Sequence, residues 1–238
     1  MKKITKVLLA SLALCLAFSC VSCGNAPTET VGDCVAPKPK PLVIDAGHGG
    51  EDGGASSPDG VLEKDLNLAV SEDVAHLCVL FGQPYVTTRR EDKMLYDLYP
   101  DGKDYTGRKK SLDLRNRLKL AETSDAAALL SIHMNKFTSP VFDGLQVYYS
   151  PNAPESAAIA DEIQSSVKNT VQTHNSRVPK AATSSIFLLD KAKMPAVLVE
   201  CGFLSNPDET CLLTTDSYRA SLSCAIFAPV LEFCTRNR

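Results

Sequence analysis

Val43-Ile44-Asp45-Ala46-Gly47-His48-Gly49-Gly50-Glu51-Asp52-Gly53-Gly54-Ala55 is the stretch that decides how this chain folds. An apolar run, Leu42-Val43-Ile44, ends abruptly in a glycine-rich turn that carries one histidine. A buried strand running into a loop that only glycine fits is a common way to hold one side chain at the rim of a sheet. Taken alone, the stretch reads equally well as a tight strand-to-helix connection with an incidental histidine. Two other apolar runs break the tie. Ala128-Leu129-Leu130-Ser131-Ile132 stops at His133, and Ala196-Val197-Leu198-Val199 stops at Glu200. In an open parallel α/β sheet, ligands and catalytic groups gather outside the carboxyl ends of the strands.

The rest of the chain supplies the helices such a sheet needs. Glu63 opens a helix whose apolar stripe reads Leu66, Val70, Val74, Leu77, Phe81, and Gly82 stops it. Glu63 shares that stripe, so it points inward as well as serving the helix N-terminus. Tyr85 to Thr88 reads as a strand, and Lys93 to Lys110 as a polar inserted surface loop over the site. Ser111 to Glu122 reads as a helix with Leu114, Leu118 and Ala121 inward, and Gly144 to Tyr149 as a strand. Residues 154–173 form a helix, Ile186 to Leu189 a short strand, and Ser217 to Phe233 a closing helix interrupted at Pro229. The expectation is one α/β domain, a twisted, mostly parallel sheet flanked by helices, with no internal repeat.

With 238 residues, 44% hydrophobic and 22% charged, the chain can bury one sizeable core. A net charge of -3 without an arginine-rich face gives no footprint for nucleic acid. Residues 1–23 read as a signal peptide: a basic start at Met1 to Lys6, an apolar run from Val7 to Phe18, then small residues. The protein is therefore expected outside the cytoplasm. Val21-Ser22-Cys23-Gly24 resembles a bacterial lipobox with Cys20 in place of its leucine, so Cys23 or Cys20 is a candidate for lipidation and a membrane tether. Secretion without a lipid is the alternative. Residues 24–40, rich in proline, read as a flexible linker, and 41–238 as the catalytic domain. Among the later cysteines no CxxC pair occurs, which speaks against a zinc–thiolate cluster. Cys78 and Cys224 read as small core filler, and a Cys211–Cys234 bridge is compatible with an exported chain.

The candidate site residues are His48, Glu63, His133 and Glu200. Two imidazoles and a carboxylate are a standard catalytic zinc shell that leaves a position for water. The sequence separation is wide, unlike HExxH, so spacing alone is a weak signal.

Together these residues carry a resemblance. Val43 to Gly50, Glu63, Ser131-Ile132-His133-Met134-Asn135 and Leu198-Val199-Glu200-Cys201-Gly202-Phe203-Leu204-Ser205-Asn206 resemble zinc-dependent N-acetylmuramoyl-L-alanine amidases over residues 41–235. Asp52 to Ala55 and Gly60 to Asp65 are most similar to the short germination-specific spore cortex branch. The resemblance implies one zinc ion bound by His48, Glu63 and His133, and Glu200 as the catalytic carboxylate. It further implies peptidoglycan as substrate, cut between the lactyl group of N-acetylmuramic acid and L-alanine, and leaves a protein activator open. Asp45 is a candidate to orient His48, and Asn135 to touch substrate, with Gln146 and Tyr148 nearby. Ala46 replaces a customary proline, Met134 stands where a small residue is usual and narrows the wall beside His133, and Arg115 takes the family's arginine position. His76 and His174 read as ordinary surface residues. Two rival readings remain at this level: a zinc peptidase acting within the stem peptide, and a non-catalytic cell-wall binding module.

Overall fold

In the computed structural model, residues 38–95 and 107–236 are described, within one compact unit, Pro37–Arg238. The leader, most of the linker with Cys20, Cys23 and Cys34, and the middle of the 93–110 insertion lie outside the described residues.

Six strands form one sheet: β1 (Leu42–Ala46), β2 (Tyr85–Thr87), β3 (Ala128–Asn135), β4 (Gln146–Tyr149), β5 (Lys180–Ala181) and β6 (Ala196–Phe203), in the order β2-β1-β3-β6-β4-β5. The first four in that order are parallel; β4 runs antiparallel to β6, and β5 parallel to β4. β1 and the core of β3 are buried from end to end, as expected of parallel strands covered on both faces.

Among the described residues six helices provide that cover: α1 (Glu63–Phe81), α2 (Lys109–Thr123), α3 (Glu155–Thr170), α4 (Phe187–Lys191), α5 (Pro207–Leu213) and α6 (Asp216–Arg236). Against one face pack Leu66, Val70 and Val74 of α1, Ile159, Ile163 and Val167 of α3, and Leu222, Ile226 and Val230 of α6. They meet Ile44, Leu130, Ile132, Val197 and Val199 of the strands. The other face carries Val43, Leu129 and Leu198 under Ala121 of α2 and Leu189 of α4.

Several local expectations change. Ile186 to Leu189 does not form a strand: Asp190 N donates to Ile186 O (2.9 Å), closing a helical turn that buries Leu188 and Leu189. A four-residue apolar run has no periodicity to separate the two conformations, and the place beside β4 is taken by β5. α6 passes through Pro229 uninterrupted, because a proline removes one helical hydrogen bond while Ile226, Phe227 and Val230 on either side stay locked in the core. The insertion is not surface throughout, since Met94 and Leu95 are buried. Met134 points into the core rather than narrowing the wall beside His133. Cys211 is an exposed free thiol and Cys234 is buried, so no Cys211–Cys234 bridge forms; Cys78 is core filler as expected, whereas Cys224 is exposed.

Leu130→Ala, at a fully buried position between β1 and β6, is expected to cost about 2–5 kcal/mol, read as a lowered urea midpoint with unchanged slope.

Candidate metal centre

The parallel register does the first part of the assembly. His133 and Glu200 are direct partners on β3 and β6, so their side chains leave the sheet on the same face, one strand spacing apart. β1 ends at Ala46, in register with Ile132, and Gly47 N donates to Ile132 O (3.0 Å), which brings the glycine loop alongside His133. His48 sits there in the left-handed region, φ 59°. A non-glycine residue in that region needs external support, and the structure supplies it from below.

Two buried guanidiniums grip the backbone of this turn. Arg117 donates through Nη1 to Ala46 O and through Nη2 to His48 O, both at 2.6 Å. Arg89 donates to Ala46 O and Gly47 O, both at 3.0 Å, and to Lys64 O at 2.7 Å. Arg117 is itself held by Asp45 and Asp113, each at 2.6 Å. The inner face of α2 therefore sets the charged Asp113 and Arg117 beside the apolar Ala121, and the arginine that holds this turn is Arg117, while Arg115 is exposed. Asp45 does not orient His48 directly. It accepts from Thr88 Oγ1 (2.9 Å), Arg117 Nη1 (2.6 Å) and Ser131 Oγ (2.6 Å), and reaches the histidine only through the arginine. Burial would raise its carboxyl, but the Arg117 guanidinium and the Ser131 hydroxyl hold it below the usual carboxylate range.

The imidazole of His48 is oriented by Asp52, whose Oδ2 lies 2.8 Å from Nδ1. On the other side, Nε2 lies 3.2 Å from Glu63 Oε1. Glu63 comes from the first residue of α1 and points inward, as its stripe implies. Its Oε1 also lies 2.9 Å from His133 Nδ1 and accepts from Met134 N (3.2 Å), while Oε2 accepts from Ala55 N (2.7 Å). Burial works against the Glu63 anion, yet the two imidazoles and these bonds drive its pKa far below the carboxylate norm. Burial likewise opposes a charged His48, but Asp52 and Glu63 outweigh it and lift the imidazole to about 9.

His48, Glu63 and His133 each offer one donor atom, all within 4.8 Å of one another. Two glycines keep the space around them open. A Cβ on Gly47 would lie 2.3 Å from the His133 ring, and one on Gly54, at φ +67°, 2.5 Å from Glu63 Oε2. A donor set of two imidazoles and one carboxylate in such a cradle fits a catalytic zinc ion. Glu200 stands beside it, and its Oε2 is buried without a hydrogen-bond partner. Burial pushes this carboxyl up to about 7, partly offset by the imidazole of His133.

The amidase family profile matches residues 42–232, with the description N-acetylmuramoyl-L-alanine amidase. The chain belongs to that family. It is 33% identical over 198 residues to the germination-specific N-acetylmuramoyl-L-alanine amidase of Bacillus subtilis, covering 83% of this chain and 81% of that one. Among solved structures it resembles the CwlD amidase of Clostridioides difficile, determined in complex with the GerS lipoprotein (TM-score 0.77, 34% identity, 83% and 99% coverage). It also resembles the amidase AmiC2 of Nostoc punctiforme (TM-score 0.68, 29% identity, 83% and 98% coverage). The enzyme is thus a peptidoglycan hydrolase acting on the amide between N-acetylmuramic acid and L-alanine.

The remaining sequence candidates are less engaged. Asn135 is half-buried where β3 and β6 shift register, and its backbone O accepts from Leu204 N (2.8 Å). Gln146, the register partner of Glu200, spends its amide on Val147 O and Val178 O. Tyr148 is half-buried near Glu200, and burial followed by that carboxylate's charge raises its hydroxyl. His76 is exposed, and His174 pairs with Asp143 at 3.1 Å, both away from the cluster. Asp52, Arg89 and Arg117 went unread as parts of the site. For Asp52 and Arg89 the signal was only proximity to a strand end; for Arg117 it was the four-residue step from Asp113.

Asp52→Ala, which frees the outer nitrogen of His48, is expected to weaken zinc binding about 10–100-fold in a competition titration with a chromophoric chelator. A metal ligand must be neutral imidazole, and His48 is protonated at pH 7 in the metal-free chain. Zinc binding at pH 7 should therefore release a proton, and apparent affinity should fall about tenfold per pH unit on acidification from 8 to 6. Calorimetry in buffers of different ionisation enthalpy reads this directly.

Proposed function

We propose that this enzyme works with one zinc ion held by His48, Glu63 and His133, and with Glu200 as its general base and acid. The observation that carries the reading is the convergence of these four side chains on one rim. When bound, the ion supplies Lewis-acid polarisation of the scissile carbonyl and brings the pKa of a water towards neutrality. Glu200 takes the proton that the attacking water loses and hands it to the nitrogen of L-alanine as the amide breaks. The products are an intact lactyl carboxylate on the sugar and a stem peptide with a free amino terminus. A carboxyl whose ordinary value is raised by burial is matched to both halves of that task near neutral pH.

The similarity to a germination-specific relative supports spore cortex as the substrate. A relative solved with a lipoprotein supports an extracytoplasmic protein partner for this chain too. Residues 1–23 read as an export signal, and a lipid on Cys23 or Cys20 would tether the domain to the outer face of the membrane. No helix among the described residues is long and apolar enough to cross a bilayer.

Purified peptidoglycan digested with and without a chelator, followed by mass analysis, is expected to give zinc-dependent stem peptides beginning at L-alanine. Cleavage within the peptide would overturn the assignment. Glu200→Gln should keep its zinc by elemental analysis while peptide release falls about 10²–10⁴-fold. Joint loss of zinc and activity would make Glu200 a ligand instead.

A further inference from the structure

The apolar stripe of α1 does not end where the core ends. Its last turn presents Val79, Leu80 and Phe81 to solvent, with 67%, 74% and 57% of their surface exposed. Phe81 leans against Phe227 with ring centroids 5.9 Å apart, which fixes the turn in place. The final turn of a helix commonly carries cations that complement the carbonyl end of its dipole; α1 has none there. Three consecutive large apolar side chains in that position leave a compact greasy knob at this end of the domain.

We infer that this knob is a membrane-docking surface, on which the domain rests with its catalytic rim turned away from the bilayer. Where the N-terminal segment joins the fold supports this occupant. Gln83 Nε2 donates to Lys40 O (3.0 Å) and Leu42 N to Pro84 O (2.9 Å), so the chain arrives within a few residues of Phe81. From Cys23 to Lys38 a fully extended chain reaches at most about 54 Å, so a lipid on that cysteine would keep the domain within that distance of the bilayer, with this end joined to the tether. A lipid on a flexible linker attaches the domain without orienting it; the knob, apolar and beside the point where that linker enters the fold, supplies the contact that orients it. Glu63 lies at the other end of the same 19-residue helix, about 27 Å away. Docking by the knob therefore holds the metal centre out towards the wall. Another exposed apolar group, Phe137, Val141 and Phe142, follows β3 on the catalytic rim, and docking by that group would press the site against lipid instead. The inference uses the tether reading for delivery, while the knob is independent of it.

The chain contains no tryptophan, so one introduced residue is a clean reporter. Leu80→Trp and Val141→Trp would each be made in the full chain, produced with its leader in a lipidating bacterium and mixed with phosphatidylglycerol–phosphatidylethanolamine vesicles carrying brominated acyl chains. Leu80→Trp is expected to shift its emission to the blue and be quenched, with Val141→Trp unchanged. A Val79→Ser/Leu80→Ser variant, altered only at exposed positions, should lose about tenfold in vesicle binding. An unshifted, unquenched Leu80→Trp in the presence of vesicles would overturn the inference, as would quenching of Val141→Trp alone. Intact mass reports the lipid separately. If it is absent, the tether reading fails, and the knob must still bring Leu80→Trp into vesicles for the inference to stand.

Discussion

The buried pair between Asp45 and Arg117 is the constraint on which the rest of the site depends. Its partners are 2.6 Å apart with almost no solvent access. Burying two charges is costly unless every polar atom is satisfied, and here the pair is saturated. Asp45 accepts from Thr88 and Ser131 as well, tying the ends of β1 and β3 to the chain just after β2. Arg117 spends its remaining donors on Asp113, Ala46 O and His48 O. A left-handed histidine at a strand end has no local reason to stay where it is. It stays because its carbonyl is one arm of a network anchored in the sheet.

On that frame, environment gives two glutamates opposite characters. Glu63 is a hub, with hydrogen-bonding or ion-pair contacts to both imidazoles and to backbone amides on two segments, and it is held as an anion. Glu200 is half-buried but leaves one enclosed oxygen unpartnered, and its proton is bound more tightly than usual. One carboxylate is held charged, the other holds its proton more tightly than usual. Surroundings that push two pKa values apart suit the two roles proposed for them in a hydrolytic site.

Much of this was legible from the chain. The three apolar runs leading to His48, His133 and Glu200 gave the core strands of the sheet and the rim where these residues gather, because a parallel strand buried on both sides writes a continuous apolar run. Glu63 was legible because it continues the helical stripe of Leu66 and Val70. The supporting layer was not. Helical periodicity was read on Leu114 and Leu118, whereas the face that packs inward begins with Asp113 and Arg117, charges that look solvent-facing until the partners of Arg117, 69 to 72 residues away, are known. The same limit explains α4, where Ile186 to Leu189 carries too few residues to display a period, and α6, where packing on both sides of Pro229 overrides a local helix breaker.

The candidate metal donors lie on segments up to 85 positions apart, from His48 to His133, and meet only through the pairing of β1 with β3. No shorter fragment contains the cluster, and contacts of such long sequence separation form late and slowly. An unfolded copy of this enzyme thus offers a scavenging metal no preassembled nest. On the zinc reading proposed above, loading would wait for the sheet to close, so topology would set the order of maturation: folding first, then metal, then hydrolysis. A wall-degrading activity would thereby stay silent until the chain has finished becoming a domain.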